Sequence, residues 1–225
     1  MIVGNGLIAR VFKGTKFDSL GITIFASGVS DSLSKNTNAF LREETLLKKY
    51  LALNQPLVYF STLSIFDPTR NQSHYVRHKI EMEKLVTKSP SNLVIRLPEV
   101  VGQHGNANTL VFFLRAKIES GEIFDVWTNV WRNLVGISEV YSLIETRILD
   151  IKENRRTLNV LADSSFEVSE IVQTLEEILG KKGNYRSVER IGTRDIYEFP
   201  NNELENILFH PTSKDYLWDL LVKYQ

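Results

Sequence analysis

Tyr75 and Lys79 stand four residues apart in "YVRHK". At that spacing two side chains share one helix face. A free phenol, with a pKa of about 10, is a poor proton donor or acceptor at neutral pH. A nearby ammonium favours the phenolate and lowers that value. A hydroxyl on the neighbouring strand could then hold a substrate oxygen, and the three groups would form a proton shuttle between an alcohol and a ketone. The same residues also fit a plain amphipathic helix, with Tyr75 half buried and Lys79 in solvent.

A second chemical pattern opens the chain. "GNGLIA" places Gly4, Gly6 and Ala9 in a G-x-G-x-x-A spacing. Gly4 permits a tight turn, Gly6 lets a pyrophosphate approach the backbone, and Ala9 is small enough for a helix to pack on a strand. The free N–H groups of the helix start favour phosphate. Glycine turns are common, so the context matters: a strand before and a helix after, at the head of a βα series. The acid that usually follows about 20 residues later to grip a ribose is missing. Either Asp18 substitutes for it or the grip is absent.

The elements that must position these groups follow from periodicity. Residues 1–12 read as strand, turn and helix, and 21–28 as a strand ending in small residues. Residues 38–54 carry Leu46, Leu47, Tyr50 and Leu51 at helical spacing. "PLVYFST" (56–62) suits a buried strand. Ser73 caps a helix over 74–87. "NLVIRLPEVVG" (92–102) reads as one further buried strand. Residues 108–122 look helical and stop near Gly121, and 157–162 form a short strand. Ser164 and Glu167 make a capping-box pattern ahead of a helix ended by Gly180, and a last helix lies near 213–224. Alternating strands and helices predict an α/β fold: a Rossmann-like, doubly wound parallel sheet, shortened, with a small C-terminal lobe. Residues 1–104, with returning segments near 132–162, would form the core, and 105–225 mainly the lobe.

Composition narrows the function classes. The chain has 225 residues, 27 Lys+Arg against 27 Asp+Glu, and no cysteine. Balanced charge gives no electrostatic reason to bind nucleic acid. The missing cysteines exclude disulfides and thiolate chemistry. No apolar run reaches the roughly 18–20 residues of a membrane span. Strand-like residues begin at Met1, so no signal peptide is expected and the cytoplasm is the expected compartment.

In this order of parts the sequence resembles the extended short-chain dehydrogenase/reductase family, in the branch of nucleotide-sugar epimerases, dehydratases and 4-ketosugar reductases. "GNGLIA" stands at the family's glycine turn, one residue short. "FASG" (25–28) stands at its small-residue strand end. "YFSTLSIF" resembles the strand carrying the catalytic hydroxyl, "YVRHK" the Tyr–Lys pair, and "RLPEVVG" (96–102) the next strand. "RNLVGISEV" (132–140) is similar to its Arg-Asp-hydrophobic segment, with Asn133 for Asp, and 207–224 is similar to its closing helix.

The resemblance implies Thr62, Tyr75 and Lys79 as catalytic residues, with Ser61 and Ser64 as substitutes for Thr62. It implies NAD or NADP held by Gly4, Gly6, Leu7, Ile8, Phe25, Ala26, Ser27, Tyr75, Lys79 and Pro98. A nucleotide sugar would meet Ser64, Glu99, Asn108 and Arg132. A homodimer through helices 38–54 and 74–87 is also implied, although burial within one chain accounts for their leucines equally well. Only about 15 residues separate the glycine turn from "FASG", so the family's second and third strands must be mostly deleted. A shortened domain that has lost turnover and only binds ligand is the alternative.

The remaining candidates are weaker. His74 and His78 share a helix face, but no third ligand has the spacing for a metal, and solvated side chains are expected. His104 and His210 carry no readable pattern. Trp127 and Trp131 fit core packing better than base stacking, and the charge clusters at 48–51 and 153–156 fit solvated faces.

Overall fold

The computed structural model describes residues 1–67, 72–103, 109–147, 157–190, 205–209 and 215–224. Asn108, His104, His210, the 153–156 cluster and the 104/105 boundary all lie outside the described residues.

The large sheet is built from β1 (Ile2–Val3), β2 (Thr23–Phe25), β3 (Leu57–Thr62), β4 (Leu93–Leu97), β8 (Thr157–Ala162) and β11 (Glu205–Phe209), side by side in that order. Every described pairing in it is parallel. Helices α1 (Leu7–Phe12), α2 (Thr37–Leu51), α3 (His74–Val86) and α5 (Ile137–Arg147) cover it. The expected parallel α/β architecture is therefore present, and so is its shortening. In a doubly wound sheet further strands flank β1 on its outer side. Among the described residues β1 is the edge strand here.

Alternation along the strands divides the core. Ile24, Val58, Phe60 and Ile95 face α1 and α5. Phe25, Leu57, Tyr59 and Val94 face α2 and α3. Phe12 is fully buried and meets Phe17 edge-on at 5.0 Å and Tyr141 of α5 at 5.3 Å. Each such ring contributes on the order of 1.5–3 kcal/mol by burial, which is what holds a six-residue helix in place. The connections β1–α1–β2, β2–α2–β3 and β3–α3–β4 all step the same way across the sheet. Because α1 lies on the opposite face from α2 and α3, its crossover has the opposite hand to theirs. Parallel crossovers are overwhelmingly right-handed, so the α1 unit breaks the rule. Deleting the strands beyond β1 has that consequence: α1 keeps its face while the chain turns back across β1.

The second lobe holds β5 (Glu99–Val101), α4 (Leu110–Ser120), β6 (Phe124–Thr128), β7 (Trp131–Gly136), β9 (Ser165–Glu167), α6 (Val168–Leu179), β10 (Tyr185–Glu189) and α7 (Tyr216–Lys223). Here β5 pairs with β7 and β7 with β9, while β10 pairs with β6. Val111, Leu114, Phe124, Ile171, Val172 and Leu220 share its core.

Three local expectations are corrected. Of the run 207–224, read as a closing helix, residues 207–209 belong to β11, and the helix over that run begins only at Tyr216. The run 92–102 is two strands in different sheets, divided at Pro98, which cannot donate to a ladder. The Ser164–Glu167 capping box does not form, because 165–167 is strand. Ser164 Oγ donates to Asp163, and Glu167 accepts from the Asn129 N–H. Ser73 does cap α3, accepting the Val76 N–H at 3.1 Å, and Gly121 and Gly180 end their helices in the left-handed conformation.

Candidate functional site

Parallel strands bring their carboxyl ends to one edge, and the chemical residues collect there. The glycine turn follows β1, residues 26–28 follow β2, Thr62 ends β3, and α3 begins above it with Tyr75 in its first turn.

The two glycines of the turn do different things. Gly4 has φ +127°, and a Cβ there would overlap the Ala26 carbonyl, so glycine is required by the strand next door. Gly6 has ordinary backbone angles and nothing within 4 Å of its Cβ position. Space is left open in front of it. Leu7 and Ile8 pack on the α5 side of the core, and Leu7 lies against Gly102 just past β5. Asp18 is in the loop returning to the start of β2, at the opposite edge of the sheet, with its carboxylate on the Gly14 N–H at 2.8 Å. It does not face the glycine turn, so of the two alternatives for the ribose grip the Asp18 one is removed.

Around β2, Phe25 is buried among Tyr50 and Tyr59, so its side chain points into the core. Ser27 is held by Arg42, which donates to its hydroxyl and its carbonyl. Thr62 Oγ1 accepts the Ser64 N–H at 3.1 Å and caps the turn after β3. Ser61 Oγ, next to it, is buried with no hydrogen-bond partner among the described residues.

Tyr75 and Lys79 are both buried, at 7% and 3% exposure, which overturns the solvated reading of Lys79. Its Nζ lies 5.9 Å from the centre of the Tyr75 ring. The ammonium donates to Glu43 Oε1 at 3.0 Å, to the Tyr59 hydroxyl at 3.1 Å and to the Phe60 carbonyl at 3.4 Å. Glu43, fully buried on α2, also accepts from the Tyr59 hydroxyl at 2.6 Å and the Val29 N–H at 2.6 Å. His78 Nε2 lies 3.1 Å from its other oxygen, and the imidazole stacks on Phe40. His78 is thus packed rather than solvated, with a side chain only 9% exposed.

Burial alone would raise the Glu43 carboxyl. Lys79 first, then His78, Tyr59 and the Val29 N–H, outweigh it and hold the group well below the usual carboxylate range. Burial, and then the Glu43 charge, push the Tyr59 phenol well above its ordinary value. Glu43, Tyr59 and His78 were missed as site residues. A signal existed for Glu43: it precedes Leu46 and Leu47 by three and four residues, which puts an acid on the apolar stripe.

The lobe-side candidates are placed differently. Glu99 accepts the Leu110 N–H at 3.0 Å and so caps α4. Arg132 Nη1 donates to the Trp131 carbonyl at 2.7 Å. Asn133 donates to the Ala162 carbonyl at 2.7 Å and accepts the Ala162 N–H at 2.9 Å, joining β7 to the end of β8. An aspartate could accept that N–H but not donate to the carbonyl, so the amide is what this junction needs. Leu47 is fully buried in its own monomer, and Leu46, Tyr50 and Leu51 pack partly against the same cluster. Among the described residues no group of three His, Cys, Asp or Glu side chains could hold a metal, and no helix is long and apolar enough to cross a membrane.

No family model and no curated protein matches the chain. Solved structures do. MoeE5 in complex with UDP-glucuronic acid and NAD superposes with a TM-score of 0.65 at 14% identity, over 96% of this chain and 75% of that one. The dTDP-glucose 4,6-dehydratase of Bacillus anthracis in complex with NAD gives 0.63 at 14%, over 96% and 75%. The UDP-glucuronic acid 4-epimerase of Bacillus cereus in complex with NAD gives 0.64 at 14%, over 98% and 76%. At such identities the likeness is one of fold, and at that level it bears out the resemblance drawn from the motifs.

Proposed function

We propose that this chain is an NAD(P)-dependent oxidoreductase or epimerase acting on a nucleotide-linked sugar. One observation carries the reading. The glycine turn, residues 26–28, Thr62 and the Tyr75–Lys79 pair converge on the carboxyl edge of one parallel sheet, where open α/β sheets bind ligands. The neighbours that share this fold were solved with NAD, and MoeE5 also with UDP-glucuronic acid. Open space before Gly6 fits the close approach of a diphosphate.

A bound nicotinamide supplies or accepts the hydride at a sugar carbon. The chain's own residues do the rest. Tyr75 exchanges a proton with the sugar oxygen. Thr62, whose oxygen already accepts a backbone N–H, keeps its O–H to donate to the same atom. Lys79 fixes the charge beside Tyr75. Arg132 and Asn108 hold the substrate diphosphate, with Ser64 and Glu99 nearby. Pro98 and residues 25–27 flank the cofactor. A homodimer through 38–54 and 74–87, with Leu41 directed outward at 59% exposure, and a reducing cytoplasmic setting complete the reading.

A second reading, a ligand-binding protein without turnover, is favoured by the sheet ending at β1 among the described residues, which leaves out the strands that flank an adenosine. Titrating NADH and NADPH while following thermal unfolding separates the two, since a bound ligand stabilises by RT ln(1 + [L]/Kd). The enzyme reading expects a rising Tm with one of them and, on a sugar substrate found by panel, loss of turnover in Tyr75→Phe with the fold intact. No shift at millimolar cofactor, or full activity in Tyr75→Phe, overturns it.

A further inference from the structure

We propose that Glu43 is a positioning residue that neutralises Lys79 and keeps the Tyr75 phenol protonated, so that the site donates a proton to a keto sugar rather than taking one from an alcohol. The inference rests on the function proposed above and narrows its direction.

All three N–H groups of the Lys79 ammonium have fixed acceptors, one of them the fully buried Glu43 carboxylate. A lone ammonium beside a titrating group lowers its pKa by about one to three units. A carboxylate bonded to that ammonium cancels most of the effect, because Tyr75 then faces a dipole instead of a charge. Among the other described charges near Tyr75, one is paired and two are in solvent. Arg96 of β4 binds Glu83 of α3 through both guanidinium nitrogens, Nε at 3.0 Å and Nη2 at 2.6 Å. On α3, Arg77 bonds to the neutral Gln72, and on α2, Arg42 to the neutral Ser27; both guanidinium groups are exposed, so solvent and salt screen their charge. Tyr59 of β3 stays a neutral donor. Two described histidines lie close by: His78, on Glu43, and the exposed His74, next to Tyr75 at the start of α3.

The pair is locked in place. Glu43 also ties down Val29, and a Cβ on Gly28 would lie 2.6 Å from Lys79 Nζ and 2.8 Å from Glu43 Oε1, so the strand end after β2 closes directly over it. In the step this favours, the Tyr75 proton goes to the carbonyl oxygen and a hydride goes from a reduced nicotinamide dinucleotide to the carbonyl carbon. The products are the alcohol, the oxidised nicotinamide and a Tyr75 phenolate, which regains its proton from water.

The test needs neither substrate nor cofactor. Tyrosinate absorbance is titrated in the wild type and in Tyr75→Phe, and their difference isolates Tyr75. The expected midpoint is at or above the ordinary value of about 10, or no ionisation before alkaline unfolding. Glu43→Gln should lower it by about one unit or more. Glu43→Gln/Lys79→Met, which removes both charges, should return it to within about half a unit of wild type. On an identified substrate, Glu43→Gln should move the acid limb of alcohol oxidation to lower pH by the same amount. A wild-type midpoint well below 10, or a rise of about a unit or more in the double variant, overturns the proposal. If Glu43→Gln does not fold, the wild-type and double-variant titrations still decide. Expected titrations with no cofactor binding would sink the function and leave the charge balance standing; the reverse would sink only the role of Glu43.

Discussion

Gly28→Ala probes the buried cluster without touching a charged residue. The new methyl would sit 2.6 Å from Lys79 Nζ, 2.8 Å from Glu43 Oε1 and 3.2 Å from Glu43 Cδ. Side-chain ends normally swing aside at little cost. These two are held by bonds to Tyr59, Phe60, Val29 and each other. Overpacking costs about 1–3 kcal/mol, and weakening one charge-assisted hydrogen bond costs about 1.5–3 kcal/mol. Against this, alanine restricts the unfolded chain and returns about 0.4–1 kcal/mol. The net expectation is a loss of about 1.5–5.5 kcal/mol, read in urea as a lower midpoint with an unchanged slope. In a Glu43→Ala background the methyl gains room, so the two substitutions should be non-additive, with the second Gly28→Ala measurement near zero. A single-mutant loss under about 0.5 kcal/mol would mean that Lys79 and Glu43 yield freely, and the rigidity argued for the cluster would be wrong.

Gly6→Ala should behave oppositely: its Cβ position is open, so stability is expected to change by less than about 0.5 kcal/mol, while NADH or NADPH affinity by calorimetry falls at least about tenfold. Unchanged affinity would show that the open space before Gly6 is not a diphosphate path. Acid should expose Glu43. Its folded carboxyl is held far below the ordinary 4.5, so the stability it contributes is complete above that value and is lost as pH falls below it, where the unfolded chain binds the proton first. The Tm is expected to fall below about pH 4.5, and to fall less steeply in Glu43→Gln/Lys79→Met; equal slopes would assign the acid loss to other carboxylates.

Much of the site was legible because its parts are local. Gly4, Gly6 and Ala9 lie within one turn, Tyr75 and Lys79 within another, and Ser73 caps the helix that carries them. The brevity of the link from Gly6 to Phe25 even forecast a sheet without strands beyond β1. What failed was non-local. Residues 92–102 look like one apolar strand, yet the chain changes sheets at Pro98, and only the distant β7 gives β5 a partner. Ser164 and Glu167 have the letters of a capping box, but β7 claims that stretch as a strand.

By itself the sequence determined the βα order of the first hundred residues, the glycine turn and the shared helix face of Tyr75 and Lys79, because each depends on spacings within a few residues. It could not determine the state of Lys79. A lysine on an amphipathic helix is solvated by default, and 36 residues separate it from Glu43. Only the packing of α2 beside α3 over β3 removes water from both and sets the ammonium on the carboxylate. In low dielectric surroundings that contact decides what charge Tyr75 meets, and so which way a proton there is poised to move.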